Sequence, residues 1–128
     1  AARLASYPFQ LSGGLRQRAM IAMALSTQPR LVIADEPVAA LDPRHQHQTM
    51  GLFAEMARDG RGVLTVIHDL GLAMRYADRV IWMHEGRIVA DGTPQETCTP
   101  EMLHEVFGIA SRVTQQSEGL RLDIEGPT

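Results

Sequence analysis

The stretch Leu31-Val-Ile-Ala-Asp-Glu-Pro37, LVIADEP, decides the fold of this chain. Four apolar residues run without alternation and end in two acids, which is typical of a strand buried on both faces of a parallel sheet. Open α/β folds bind their ligands at the carboxyl ends of such strands. The stretch therefore predicts an α/β fold with a candidate site at Asp35 and Glu36.

Helix and strand alternate after this stretch, which predicts a largely parallel sheet. Asp42 and Pro43 predict the start of a helix that ends at Gly60, and Gly62 to Ile67, GVLTVI, predicts a second buried strand. The later expected elements are a helix from Asp69 to about Tyr76, a hairpin of Arg79–Met83 and Arg87–Asp91, and a helix from Thr99 through Phe107. The tail after Arg112 is polar and is expected to be loose.

The two acids can divide the work of a hydrolytic site. Asp35 can hold a magnesium ion through water, because Mg²⁺ keeps much of its hydration in proteins. Glu36 can orient or deprotonate an attacking water, which contributes typically ~10²–10⁴ in rate. The alternative is that both carboxylates are simply solvated at the end of a strand.

His68 follows the second apolar strand directly, in the sequence TVIHD. Successive strands of a parallel sheet end at the same edge, so we expect His68 to lie near Asp35 and Glu36. There it can contact a terminal phosphate and position the attacking water. The alternative is an ordinary polar residue at a strand end.

Upstream, Ser12-Gly-Gly14 precedes a predicted helix that runs to about Gln28, where Pro29 stops it. Free N–H groups at a helix N-terminus, with glycines that allow close approach, suit a phosphate. The alternative is a serine-capped helix after a glycine turn.

Composition limits the possible partners of the chain. The 128 residues carry a formal net charge of -3, and all 12 Lys and Arg residues are arginine. No basic face for nucleic acid is evident, and a sequence without lysine contains no G-x-x-x-x-G-K-[ST] phosphate loop. The single cysteine, Cys98, excludes an internal disulfide and favours a reducing compartment. The longest apolar run, Ala19 to Leu25, is too short to span a bilayer.

In their order along the chain, these motifs resemble the ATP-binding cassette (ABC) ATPase family. The motifs are LSGG, the strand ending in Asp-Glu-Pro, Ala40-Leu-Asp42 and the strand followed by histidine, and the resemblance covers about residues 7 to 108. It implies the C-terminal part of a RecA-like P-loop NTPase core without its phosphate loop. The implied parts are the end of a helical subdomain with the signature helix (1–29), the C-terminal half of the ATPase core (30–108) and a C-terminal tail (109–128).

The resemblance also implies a role for each matching residue, with ATP and Mg²⁺ as cofactors. In that family a head-to-tail dimer shares each active site, and the signature loop contacts the ATP held by the opposite subunit. The implied roles are trans contacts to ATP for Ser12, Gly13, Gly14 and Leu15, the Walker B aspartate for Asp35, the catalytic glutamate for Glu36, the interface loop for Asp42 and the switch histidine for His68.

Two departures from the family pattern qualify this reading. Leu15 stands where the family usually has glutamine, which removes one polar contact. The phosphate loop and the glutamine loop, which the family places upstream of the signature, do not occur in these residues. We therefore expect the chain to be the C-terminal part of a nucleotide-binding subunit that binds ATP weakly or not at all by itself.

The segment from Val66 to Ile109 is similar to the ATPases of importers for iron-siderophores, haem and cobalamin. Its ending, Thr-Pro-Glu followed by Glu-Val-Phe-Gly, is the more telling part and favours iron-chelate uptake. The segment from Tyr7 to Pro37 is also similar to oligopeptide and nickel importer ATPases. The implied partners are a second nucleotide-binding subunit, membrane permease subunits and, indirectly, a substrate-binding protein. The implied location is the cytoplasmic side of the bacterial inner membrane. Rival interpretations are a DNA-repair or chromosome-structure ATPase and a non-catalytic truncated remnant.

Overall fold

The computed structural model describes residues 28–128, which form two compact units that meet in sequence between Ile67 and His68. The first unit contains β1 (Leu31–Asp35), α1 (Pro43–Arg58) and β2 (Gly62–Val66). The second contains α2 (Leu70–Tyr76), β3 (Val80–His84), β4 (Arg87–Gly92), α3 (Pro94–Thr97), α4 (Pro100–Phe107), β5 (Ile109–Gln116) and β6 (Gly119–Pro127). The bounds confirm the predicted elements from Leu31 to Phe107 to within a few residues, and α3 was not predicted.

In the first unit, β1 and β2 pair in parallel with Ile33 opposite Leu64 and Asp35 opposite Val66. The expectation that both strands are fully buried was wrong. On one face, four apolar side chains remain 48–67% exposed: Leu31, Ile33, Leu64 and Val66. Their sequence neighbours on the other face are half-buried. Apolar residues on both faces suit a sheet that is covered on both sides. Among the described elements of this unit, α1 is the one that packs against β2.

Helix α1 begins and ends where its sequence signals lie. The Asp42 carboxylate accepts the N–H of His45, and Pro43 occupies the first turn, where a missing N–H costs nothing. Its buried residues are Thr49, Met50, Phe53 and Met56. Met50, Phe53 and Met56 recur every three positions, and Thr49 lies four positions before Phe53, so the buried residues form one face of the helix.

The second unit has its own core, made of Met74, Trp82, Cys98, Leu103 and Leu120. The indole N–H of Trp82 donates a 2.8 Å hydrogen bond to the hydroxyl of Thr97, which satisfies the polar atom of a buried aromatic. Burial raises the pKa of the Cys98 thiol to about 11, so this cysteine is a packing residue rather than a reactive one.

Strands β3 and β4 form the predicted hairpin, with a bulge between Trp82 and Met83. Arg79 and Asp91 join its open end by two hydrogen bonds of 2.7 Å each. This bidentate pair holds the pKa of the Asp91 carboxyl below its usual value, chiefly through the side-chain hydrogen bonds from Arg79.

None of the helices within residues 28–128 is both long and apolar enough to cross a membrane.

The prediction of a loose tail after Arg112 was wrong. Residues Ile109–Gln116 and Gly119–Pro127 form an antiparallel hairpin, with a register shift between Ala110 and Ser111. Leu120 is 5% exposed in the core, with Val113 and Leu122 packed against the same cluster. The hairpin is therefore an integral part of the second unit.

We predict that Leu103→Ala lowers the free energy of unfolding by about 2–5 kcal/mol, because it leaves a cavity at a fully buried site. Urea unfolding, followed by the fluorescence of Trp82 in the same core, measures the change. The matched control is Glu105→Ala, at an exposed position of the same helix, which should change stability by less than about 0.5 kcal/mol. Equal effects of the two variants would contradict this description of the core.

Candidate nucleotide site

Asp35 and Glu36 lie at the carboxyl end of β1, and both are exposed. The N–H of Glu36 donates a 2.9 Å hydrogen bond to the carbonyl of Val66, so the backbone pairing of the two strands continues one residue past Asp35. The predicted position of both acids at the carboxyl edge of a parallel sheet is therefore what the first unit shows.

The backbone of Glu36 is left-handed, with φ of 48°, and Ala40 shares this conformation with φ of 62°. Such angles cost a non-glycine residue roughly 1–2 kcal/mol, so the surroundings must impose them. Two turns do so: the carbonyl of Glu36 accepts the N–H of Ala39, and the carbonyl of Val38 accepts the N–H of Leu41. The buried Val38 anchors the segment between the two strained residues. The start of the turn, and with it Glu36, is consequently held in one backbone conformation.

Asp42 follows these turns as the N-cap of α1. One of its carboxylate oxygens, Oδ1, accepts the N–H of His45 at 2.9 Å and lies 2.8 Å from Nδ1 of the same residue. The backbone hydrogen bond from His45 is the main cause that lowers the pKa of Asp42 below its usual value. The carboxylate thus stays ionised and oriented by the helix it starts.

Sequence reasoning did not assign His45 this contact with Asp42. A histidine three residues after an N-cap acid is the signal that could have found it, because N-cap and N3 side chains face each other in the first turn.

His68 is exposed and directly precedes Asp69, the N-cap of α2. The Asp69 carboxylate accepts the N–H of Leu72 at 3.1 Å. Because His68 begins the second unit, whereas Asp35 and Glu36 lie in the first, the proximity of His68 to the two acids stays a prediction. The signature residues Ser12, Gly13, Gly14 and Leu15 lie outside the described residues, and so does their predicted contact with ATP.

Within residues 28–128, no three His, Cys, Asp or Glu side chains lie together in a way that could hold a metal ion. Asp35 offers a single exposed carboxylate, which fits Mg²⁺ because that ion is usually bound by one or two carboxylates, with waters and substrate phosphates completing its shell. The described part of the chain therefore suits a magnesium ion that arrives with a nucleotide.

Comparison with known proteins places these motifs in one family. The family model described as ABC transporter matches residues 1–39. The hemin import ATP-binding protein HmuV of Aliivibrio fischeri is 45% identical over 107 residues, which are 80% of this chain and 41% of that protein. The peptidoglycan transport ATP-binding protein YejF of Agrobacterium fabrum is 48% identical over 98 residues, which are 76% of this chain and 18% of that protein.

A solved structure supports the same fold. An inward-facing ABC transporter, described as metal-chelate type, superposes with a TM-score of 0.79 at 22% identity and covers 94% of this chain and 49% of its own. The chain spans about half the length, or less, of the hemin import relatives, from 41% to 50%. The chain belongs to the ABC transporter ATP-binding domains, and it corresponds to the C-terminal part of that cassette.

Proposed function

We propose that the full subunit carrying this sequence hydrolyses ATP and couples hydrolysis to the import of haem or a related iron chelate. The observation that carries the proposal is the Asp35–Glu36 pair at the carboxyl end of β1, with the Glu36 backbone bonded to β2, in a chain 45% identical to a hemin import ATP-binding protein. Two acids at this edge are part of what the family resemblance implies for one of the two subunits that share a nucleotide site.

Glu36 is the proposed general base. Its carboxylate extends from an exposed backbone position whose φ and hydrogen bonds are fixed by the neighbouring turn, so the side chain starts from a constant point. A base must come within hydrogen-bond reach, about 2.6–3.2 Å, of the water that it deprotonates. His68 is proposed to contact the terminal phosphate and to hold that water in line.

Asp35 is the proposed magnesium residue, acting through water. The bound ion supplies charge that stabilises the transferring phosphoryl group. Asp35 orients the hydrated ion from the strand end, and its position opposite Val66 keeps the carboxylate on the same edge as Glu36.

The second subunit is proposed to complete the site. The ATP held by one subunit would be contacted by four residues of the opposite subunit: Ser12, Gly13, Gly14 and Leu15. Asp42 would lie at the dimer interface. Helix N-termini attract anions, each with about 0.3–1 kcal/mol at an exposed site and more when water is excluded. Two head-to-tail subunits with ATP between them therefore form the proposed catalytic unit.

The proposed cargo is haem or a related iron chelate, as the names of several relatives suggest. Hemin import ATP-binding proteins of several bacteria match 80–89% of the chain. The second candidate cargo is an oligopeptide or nickel, from the resemblance of Tyr7–Pro37 to the ATPases of those importers. The match to YejF, a peptidoglycan transport ATP-binding protein at 48% identity, also keeps a cargo other than haem in question. We propose that the subunit binds permease subunits at the cytoplasmic face of the bacterial inner membrane, with a substrate-binding protein on the other side.

We predict that Glu36→Gln in the full subunit removes nearly all ATP hydrolysis and lets ATP-bound dimers accumulate, because the amide cannot accept a proton from water. Phosphate release at saturating ATP and size-exclusion chromatography with ATP measure the two effects. The matched control is Glu55→Gln, at an exposed position of α1, which should hydrolyse ATP at the wild-type rate. Wild-type hydrolysis by Glu36→Gln would refute the assignment of the base, and an inactive wild-type subunit would support the non-catalytic remnant.

We further predict that the full subunit restores growth on haem as the only iron source to a bacterial strain lacking its hemin import ATPase. Growth measured in iron-depleted medium with added haem reports the cargo, and Glu36→Gln serves as the inactive control. Restored growth of a peptide-importer mutant on an oligopeptide nutrient, without growth on haem, would instead assign the subunit to the peptide branch.

A further inference from the structure

The C-terminal hairpin touches the helix that follows His68 at a point where only glycine fits. Gly119, the first residue of β6, has φ of +124°. A Cβ atom at this position would lie 2.7 Å from the carbonyl oxygen of Arg75, which belongs to the last turn of α2. Strand and helix backbones are therefore in direct contact here.

The contact continues along the helix. A Cβ atom on Gly71, in the first turn of α2, would lie 4.0 Å from the carbonyl oxygen of Leu122, three residues further along β6. Between these two points Leu120 is buried in the same core as Met74 of α2. Strand β6 thus follows α2 from its last turn to its first.

An ion pair adds to this packing at the start of the strand. Arg75 Nη2 lies 3.1 Å from Glu118 Oε2, in the turn between β5 and β6. The pair is largely exposed, so it guides the register of the hairpin more than it stabilises it. Three contacts therefore restrain the seven-residue helix α2: the backbone contact at Gly119, the buried Leu120 and the ion pair between Arg75 and Glu118.

The restraint reaches His68 through the backbone. The carbonyl of Asp69 accepts the N–H of Ala73 at 3.1 Å, and its carboxylate accepts the N–H of Leu72. Asp69 is therefore part of the hydrogen-bonded first turn of α2, and His68 is the residue covalently joined to it. Any shift of α2 carries the backbone of His68 with it.

We propose that the hairpin Ile109–Pro127 is a brace that sets the position of His68 by holding α2, with Gly119 as the positioning residue. This inference rests on the proposed function only for the role of His68 in hydrolysis. The brace acts on geometry within the second unit, and Gly119 itself touches neither nucleotide nor water in this account.

The kinetic test compares two glycine variants of the full subunit. Gly119→Ala places a methyl group against the α2 backbone, whereas Gly86→Ala has the same sign of φ, +75°, in open space at the β3–β4 turn. We expect Gly119→Ala to lower kcat by about tenfold to a hundredfold, because a ~1 Å misplacement of a reacting group costs up to about 10²-fold. KM for ATP should stay unchanged, and Gly86→Ala should match the wild type in both constants. Provided that His68→Gln is inactive, a wild-type kcat in folded Gly119→Ala would overturn the brace.

A spectroscopic test reads the position of His68 without activity. In the full subunit labelled with ¹³C-histidine, the signals that disappear in His68→Gln and in His45→Gln identify the two rings. Gly119→Ala should shift the His68 signal and leave that of His45, in the first unit, in place. If Gly119→Ala does not fold, Leu122→Ala takes its place, since it loosens the hairpin without a backbone clash. An unchanged His68 signal in the folded variant would overturn the brace.

The two tests separate the brace from the proposed function. If His68→Gln in the full subunit hydrolyses ATP at the wild-type rate, the proposed role of His68 fails, and a shifted His68 signal still supports the brace. If His68→Gln is inactive while folded Gly119→Ala keeps the wild-type kcat, the brace fails and the proposed function stands.

Discussion

The parallel pairing of β1 with β2 is the interaction on which the candidate site depends. It places Asp35 opposite Val66 and extends one hydrogen bond further, from the N–H of Glu36 to the Val66 carbonyl. A shift in this register by one residue would turn one strand over relative to the other and exchange the side chains on its two faces. The register therefore decides at once which side chains are buried and where the two acids stand.

The same pairing explains why the strained turn after β1 persists. Glu36 and Ala40 both adopt left-handed angles that neither side chain favours. The strand hydrogen bond holds the start of the turn, buried Val38 holds its middle, and the Asp42 cap on α1 holds its end. Strain of roughly 1–3 kcal/mol per residue survives only where the surroundings over-determine the backbone, and such places are often functional.

Much of this architecture could be predicted from the sequence, because its signals are local. Apolar runs predicted the strands β1 and β2, and the Asp-Pro pair and Thr-Pro-Glu predicted the starts of the helices α1 and α4. The hairpin β5–β6 could not be predicted in the same way, because its sequence is mostly polar. Its few apolar residues indicate a strand only once Leu120 is seen to be buried in the core of the second unit. The left-handed backbone angles of Glu36 and Ala40 could not be predicted either, because glycine is the residue that indicates such angles in a sequence.

We propose that Glu36 and His68 act on one hydrolytic reaction. A double-mutant cycle in the full subunit tests it most directly, with single-turnover ATP hydrolysis measured for Glu36→Gln, His68→Gln and the double variant. Residues that act as a unit are strongly non-additive. The account predicts that the double variant is no slower than the slower single variant. Rate losses that multiply in the double variant would contradict it, because they would show two residues acting independently.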